Sequence, residues 1–346
     1  MNYKSIAVEN FVGLLSQYLI VDVRSPGEFH HAHIPGAISM PLFEDEERAV
    51  VGTLYKQESR EKAIKAGLDY FGPKMKNMVE QIENAVGMKS GESPAKFTIL
   101  IYCWRGGMRS GAVSWLLSMY GFEVLTLKGG YKAFRNWTLD QFEKAYNFRI
   151  LSGFTGSGKT ELLQKMQEKG AKVIDLELIA NHKGSAFGHI GKGPQPSQEY
   201  FENSLALALF YLDGSSCIWL EDESRRIGHL NIPLALWNTM SKSPVILLNL
   251  PFELRLNRIL AEYGDLEREA LMHGIMRIQK RLGGLATKQA INYLLDGEIK
   301  SCFEILLAYY DKYYQKHLEK NKLQSNIKQV VIGEQIMQEL LEINQT

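Results

Sequence analysis

Eight residues constrain the architecture of this chain more tightly than any others: Gly153-Phe154-Thr155-Gly156-Ser157-Gly158-Lys159-Thr160. They fit the G-x-x-x-x-G-K-[ST] pattern of a P-loop, whose glycines let backbone amides wrap a phosphate. Lys159 adds a positive charge, and Thr160 is placed to reach a metal ion. The flanks agree: Phe148-Arg149-Ile150-Leu151 is strand-like, and Glu161 to Lys169 is helical and stops at Gly170. Lys172-Val173-Ile174-Asp175 reads as the next strand, Cys217 to Leu220 as a third, and Val245 to Leu250 as a fourth. A helix carrying Arg255 and Arg258 follows the last of these. Strands alternating with helices predict a doubly wound parallel sheet. Asp175, Glu221 and Asp222 are its candidate acids, and the Glu221-Asp222-Glu223 end of the third strand is where a P-loop protein would hold Mg²⁺. The pattern specifies phosphate binding and leaves nucleotide hydrolysis open.

A second stretch carries chemistry of its own. Thr98-Ile99-Leu100-Ile101-Tyr102 is a strand pattern that runs into Cys103, then Trp104-Arg105-Gly106-Gly107-Met108-Arg109-Ser110, then an apolar helix pattern through Leu117. This setting places the sulfur among backbone N–H groups at the positive end of a helix dipole, beside two fixed cations, Arg105 and Arg109. Each of these favours a sulfur anion. A lone cysteine is usually a small core residue, but this loop makes Cys103 the candidate nucleophile. Cys217, at the head of a strand, and Cys302, in a helix pattern, read as core.

With 346 residues the chain can bury two cores, and the expected division is 1–140 and 141–346, the second ending in a helical region. The net charge is +1, so a polyanion would have to be held by a local patch. Two stretches qualify. Lys128, Lys132 and Arg135 fall where no acid lies between Glu123 and Asp140. Arg277, Lys280 and Arg281, with Lys288, fall in an acid-free run from Ala270 to Leu295, which Gly283-Gly284 interrupts. The competing reading balances this second patch against the acidic 262–269 segment. Three well-separated cysteines without a CxxC argue against a disulfide framework or a cysteine zinc site. No signal pattern and no apolar run of ~20 residues is present. The expectation is a cytoplasmic protein with no membrane partner.

Near the start, residues 5–18 read as a helix with Ser5 as its cap and Phe11, Leu14 and Leu15 facing inward. Tyr18 to Arg24 reads as a strand ending Asp22-Val23-Arg24, a pair better suited to fixing the neighbouring loop than to catalysis. Residues 136–147 read as a linker helix. The order of Asp22-Val23-Arg24 with Glu28-Phe29 and His33-Ile34-Pro35-Gly36-Ala37, the Cys103 loop, and Leu127-Lys128-Gly129-Gly130-Tyr131 resembles the rhodanese domain over about residues 5–140. That resemblance implies a small α/β domain whose cysteine carries sulfur or selenium. Many thiosulfate sulfurtransferases have four residues between the cysteine and the closing arginine, whereas Cys103 and Arg109 have five between them. The wider loop suits a tetrahedral oxyanion, and the same spacing occurs in cysteine phosphatases. Arg48, Lys56, Arg60, Lys62 and Lys65 give the insertion after residue 47 a basic lean, read equally as a solvated face or a partner surface.

In the second half, His182 to Gly188, Gln195-Pro196-Ser197-Gln198 with Phe201-Glu202-Asn203, and Glu221 to Gly228 are not general P-loop features. Behind a rhodanese-like module they resemble the bacterial tRNA 2-selenouridine synthase family, over about residues 5–290. The resemblance implies exchange of the 2-sulfur of tRNA wobble 2-thiouridines for selenium from selenophosphate, through an S-geranyl intermediate made from geranyl diphosphate. It assigns Cys103 to selenium handling and Arg105, Gly106, Gly107 and Arg109 to the selenophosphate oxyanion. Gly153, Gly156, Ser157, Gly158, Lys159 and Thr160 would grip the prenyl diphosphate, with Mg²⁺ as a candidate ion. The two basic patches would meet tRNA, and the synthase of selenophosphate is a further candidate partner. The alternative is a sulfurtransferase or Cys-x5-Arg phosphatase fused to a small-molecule kinase. A non-catalytic phosphate-binding scaffold is a third class, which the Cys103 loop disfavours.

Overall fold

Thr98–Tyr102 is apolar on both of its faces, as a strand covered on both sides must be, and it takes the middle of the first sheet. The structure, a computed structural model, describes residues 3–183, 187, 193–212, 216–264, 266–322 and 327–330. Two compact units emerge, Met1–Gln141 with Glu202–Ser204, and Phe142–Phe201 with Leu205–Thr346.

The first unit holds β1 (Tyr3–Ile6), β2 (Leu19–Asp22), β3 (Ile38–Ser39), β4 (Thr98–Tyr102) and β5 (Glu123–Leu127). They pair in the order β1-β5-β4-β2-β3, all parallel, with Ile101 opposite both Val21 and Thr126. Parallel neighbours cannot be joined by hairpins, so helices cross between them. Met78, Val79 and Ile82 from helix Met75–Ala85, and Val113 and Leu117 from helix Met108–Tyr120, close the core over Ile99, Ile101 and Val124. This is a rhodanese-like α/β unit.

The opening segment differs from its expected helix. Tyr3–Ile6 is a strand at the sheet edge, with Ser5 opposite Thr126 rather than capping a helix, and the helix is confined to Val8–Gly13. Phe11 and Leu15 are buried, while Leu14 is only half-buried. The expected linker helix starts earlier, at Gly130, and ends at Phe142.

The second unit holds β6 (Phe148–Gly153), β7 (Lys172–Ile174), β8 (Ile218–Glu221), a short antiparallel pair β9 (Arg226–Ile227) and β10 (Leu230–Asn231), β11 (Val245–Leu248) and β12 (Ile327–Val330). The main sheet runs β12-β11-β6-β8-β7 and is parallel throughout. The P-loop strand β6 is therefore central, with the acid-ended strand β8 beside it and Leu151 opposite Glu221. Helices Phe252–Tyr263, Arg268–Leu282, Gly284–Asp296 and Ile299–Lys322 form the helical C-terminal region around Leu256, Ile275, Leu294, Cys302 and Phe303. Gly283, at φ +92°, separates the middle two. After these helices the chain returns to the sheet as β12, where only helical pattern was expected.

Candidate functional site

Cys103 follows β4 directly, at the C-terminal edge where parallel sheets place their sites. It is only 3% exposed, and its Sγ lies 3.2 Å from Ser110 Oγ in the first turn of helix Met108–Tyr120. The turn after β5 imposes the shape of the loop. The Tyr131 N–H donates to Cys103 O (2.8 Å), and the Lys132 N–H donates to Trp104 O (3.0 Å). Gly130 has φ +62°, and a Cβ there would collide with the Cys103 carbonyl and the amide nitrogens of Arg105 and Gly106. Only glycine permits so close an approach of two backbones.

The two loop arginines are used differently. Arg105 faces solvent, with no ion-pair partner among the described residues. Arg109 Nη1 pairs with Glu28 Oε2 at 2.7 Å, and the same carboxylate accepts the Ser25 N–H (3.1 Å) and pairs with Arg48 Nε (3.1 Å). Burial pushes the Glu28 carboxyl up, but the Arg109 hydrogen bond and charge, the Ser25 amide and Arg48 outweigh it and hold the group below its ordinary value. Behind the loop, buried Arg24 pairs with Asp22 at 2.6 Å and donates to Ala32 O at 2.6 Å, which fixes the segment between β2 and β3. Of the first basic stretch, Lys128 and Lys132 are exposed. Arg135 is half-buried, donating to Asn203 Oδ1 (2.5 Å) and pairing with Glu202 (2.6 Å). Its charge is neutralised within the first unit, so it does not extend the basic face.

In the second unit the P-loop and its acids line a cavity of about 920 Å³. Gly153, Gly156, Ser157, Gly158, Lys159 and Thr160 all border it. Lys159 Nζ donates to Gly153 O (3.0 Å) and lies 3.4 Å from Glu221 Oε1. Thr160 Oγ1 donates to Glu221 Oε2 (2.9 Å), while the buried Ser157 hydroxyl has no hydrogen-bond partner among the described residues. Gly158 has φ +77°, and any side chain there would overlap the Arg258 guanidinium, which closes over the loop and pairs with Glu161 at 3.4 Å. Arg255 holds the loop from behind, donating to Thr155 O (3.1 Å) and pairing through two bonds with Asp311 (2.8 and 2.7 Å).

The three candidate acids separate in role. Asp175 caps helix Leu176–Ile179 by accepting the Leu178 N–H (2.8 Å), and it borders the cavity. Asp222 accepts from Ser152 (2.5 Å) and from the Tyr314 hydroxyl (2.8 Å), which in turn receives the Gly153 N–H (2.9 Å). Glu221 stands with Glu177 and Glu223, each offering an oxygen within 4.8 Å of the others. Burial, then the neighbouring negative charges, pushes Glu177 up to about 9 and Glu223 up to about 8. Oxygen donors of this kind suit a hard divalent cation.

Comparison with known proteins places this geometry. Residues 146–342 match the family described as the tRNA 2-selenouridine synthase AAA domain, and residues 9–136 match the rhodanese-like domain. The tRNA 2-selenouridine synthase of Sulfurovum sp. (strain NBC37-1) is 37% identical over 341 residues, covering 89% of this chain and 91% of its own. The chain belongs to the tRNA 2-selenouridine synthase family. The Shewanella oneidensis synthase is 35% identical over 335 residues, covering 87% of this chain and 86% of its own. A crystal structure of a rhodanese-related protein from Thermoplasma volcanium is 18% identical, covering 38% of this chain and 89% of its own, at a TM-score of 0.22.

Several residues that carried the likeness to the selenouridine synthases prove to be architectural. Gln195 Nε2 donates to Ala180 O (3.0 Å) and Ile227 O (3.1 Å), and its Oε1 accepts the His229 N–H (2.9 Å). Gln198 brackets Asn231 in the same way, donating at 2.7 Å and accepting at 2.8 Å. Together they clamp the β9–β10 pair. The segment 184–186 and Gly188 lie outside the described residues. Arg277, Lys280, Arg281 and Lys288 are exposed on helices Arg268–Leu282 and Gly284–Asp296, and Lys280 and Lys288 border a hollow of about 550 Å³. The Arg281 charge lies close to the Tyr309 hydroxyl. Sequence reasoning missed Glu28, Glu177 and Tyr314. Glu28 sits in the quoted motif beside Phe29, while the other two carry no local signal.

Proposed function

We propose that this protein modifies the wobble uridine of tRNA, replacing the 2-sulfur of a 2-thiouridine with selenium drawn from selenophosphate. The route proposed passes through an S-geranylated base made from geranyl diphosphate. One observation carries the reading. A cysteine loop of rhodanese type and a P-loop cavity occur in one chain, matched over nearly its whole length by relatives named tRNA 2-selenouridine synthase.

In the first reaction the thiocarbonyl sulfur attacks C1 of geranyl diphosphate, and the C–O bond breaks with its electron pair passing to the diphosphate. Lys159, Arg258 and the P-loop amides are the groups that would stabilise that leaving charge. Thr160 and Glu221 would hold Mg²⁺, which when bound neutralises further diphosphate charge. Phosphate binding without nucleotide hydrolysis is enough for this step.

Alkylation turns a poor leaving group into a good one. Selenophosphate adds through its selenium at C2 of the base and expels geranylthiolate. Water then attacks phosphorus, the P–Se bond breaks with its electron pair passing to selenium, and phosphate leaves. Selenium thus stays at the oxidation level of selenide, and no oxidant is needed. Cys103 is assigned to handling the selenium, and Arg105 and Arg109 to the oxyanion. Lys128 and Lys132 in the first unit, and Lys280 and Lys288 in the second, are the cations proposed for tRNA phosphates. Among the described residues no helix is long and apolar enough to cross a membrane, and the cytoplasm is the proposed setting.

The test is mass spectrometry of nucleosides from 2-thiouridine tRNA incubated with geranyl diphosphate, selenophosphate, both or neither. A geranylated product that selenophosphate converts to selenouridine is expected. No mass change under any condition, together with ATP or aryl-phosphate hydrolysis, would replace this reading with a kinase or phosphatase.

A further inference from the structure

Trp104 is the residue after the buried nucleophile, yet it is 38% exposed. One side of its ring is backed by the first unit. Its centroid lies 5.7 Å from that of Tyr131, and the Arg24 guanidinium sits 3.8 Å from the Tyr131 ring and 5.9 Å from Trp104. Tyr131 and Arg24 are buried, and Arg24 is immobilised by Asp22. The indole is thus held from behind while part of it is left to solvent. The exposed part of the ring is flat apolar surface that a planar ligand can cover.

Its surroundings are cationic. The Trp104 carbonyl is bonded to the Lys132 N–H, which ties the lysine-bearing turn to the Cys103 loop. Arg105, Lys128 and Lys132 are exposed, and none has an ion-pair partner among the described residues. A fixed aromatic face on a loop tied to a turn that carries exposed cations is an arrangement suited to unstacked nucleotides: the ring stacks the base, and the cations meet the backbone.

We propose that Trp104 is the stacking platform that receives the RNA base presented to Cys103, with Arg105, Lys128 and Lys132 on the flanking phosphates. This rests on the tRNA reading above. The competing role for Trp104 is a lid that merely covers Arg24 and Tyr131.

The experiment is a coupling cycle on the full chain. It measures binding of an anticodon stem-loop with 2-thiouridine at the wobble position, and of the same RNA abasic there, to wild type, Trp104→Phe and Trp104→Leu. Removing the base should weaken wild-type binding roughly tenfold, as loss of one aromatic–base stack does. Trp104→Leu should bind the intact RNA as weakly as wild type binds the abasic one, and should lose less than about twofold more on base removal. Trp104→Phe should retain most of the base dependence. Equal losses on base removal in wild type and Trp104→Leu would overturn the platform while leaving the tRNA reading standing. A wild type that binds neither RNA would remove both. If Trp104→Leu does not fold, photo-cross-linking of the wobble thiouridine in the wild-type complex decides: a cross-link to the Trp104 peptide supports the proposal, and cross-links confined to other peptides overturn it.

Discussion

Glu28 and Arg109 are joined across 81 residues of sequence by a 2.7 Å charge-assisted bond, so the arginine assigned to the incoming oxyanion already holds a carboxylate. Glu28 also binds Arg48 and the Ser25 amide, so it can release Arg109 without losing every partner. An anion arriving at the Cys103 loop must compete with Glu28.

Glu28→Gln keeps the shape and removes the charge. The Michaelis constant for selenophosphate should fall by about five- to tenfold, the scale of one ordinary net hydrogen bond, since Glu28 keeps its other partners. A rise instead would mean that the carboxylate positions Arg109 for catalysis. The held-down carboxyl also predicts a pH effect. Its contribution to stability is present above the ordinary carboxylate value and is lost as pH falls through the lower folded value. Thermal melts in acid should show a shallower loss for Glu28→Gln than for wild type.

The acids of the second unit titrate in the opposite sense. Glu177 and Glu223 keep their protons to about 9 and about 8, so the folded state binds more protons than the unfolded one from the ordinary carboxylate range upward. Stability of this unit should therefore fall as pH rises through that window. Glu223→Gln should flatten the dependence in unfolding curves recorded with a chelator. Added Mg²⁺, if it binds here, should restore stability at the alkaline end by replacing the protons.

Tyr314→Phe removes one hydroxyl that serves Asp222, Ser152 and the Gly153 amide together. Loss of these bonds should cost about 1–3 kcal/mol of stability in the second unit, because a half-buried carboxylate loses a donor and an amide loses its acceptor. Diphosphate affinity should drop in parallel. Chemical unfolding and calorimetric titration with pyrophosphate measure the two effects.

Among the candidate RNA contacts, Lys280 and Lys288 are the probes, because both border the same hollow. Each Lys→Gln change should weaken stem-loop binding and make the log–log salt slope shallower by roughly 0.7–0.9. A slope unchanged in both variants would remove this face from the interface.

The central strands were legible because they are apolar on both faces, and the two loops because glycine, cysteine and lysine stand at spacings with few other uses. The edge strands were not. Tyr3–Ile6 and Ile327–Val330 are short and half-polar, and each becomes a strand by pairing with a distant neighbour, β5 or β11. The β-branched run Ile327, Val330, Val331 and Ile332 was the signal available for the latter. The site was read to the same depth. Sequence supplied Cys103, Lys159 and Glu221, whereas Glu28 on Arg109 and Tyr314 on Asp222 are partnerships that only the folded chain creates.

Tyr314 also sets a schedule. It stands 162 residues after Ser152, so a nascent second unit exposes its P-loop long before the hydroxyl that completes the cavity wall has been made. At ~5–20 residues per second that interval lasts about 8–30 s. For that time the Gly153 amide depends on water, and Asp222, made 92 residues before Tyr314, does so for the later part of it. The phosphate grip is thus among the last features of the second unit to mature during translation, and a ribosome paused before Tyr314 carries a P-loop without a finished site.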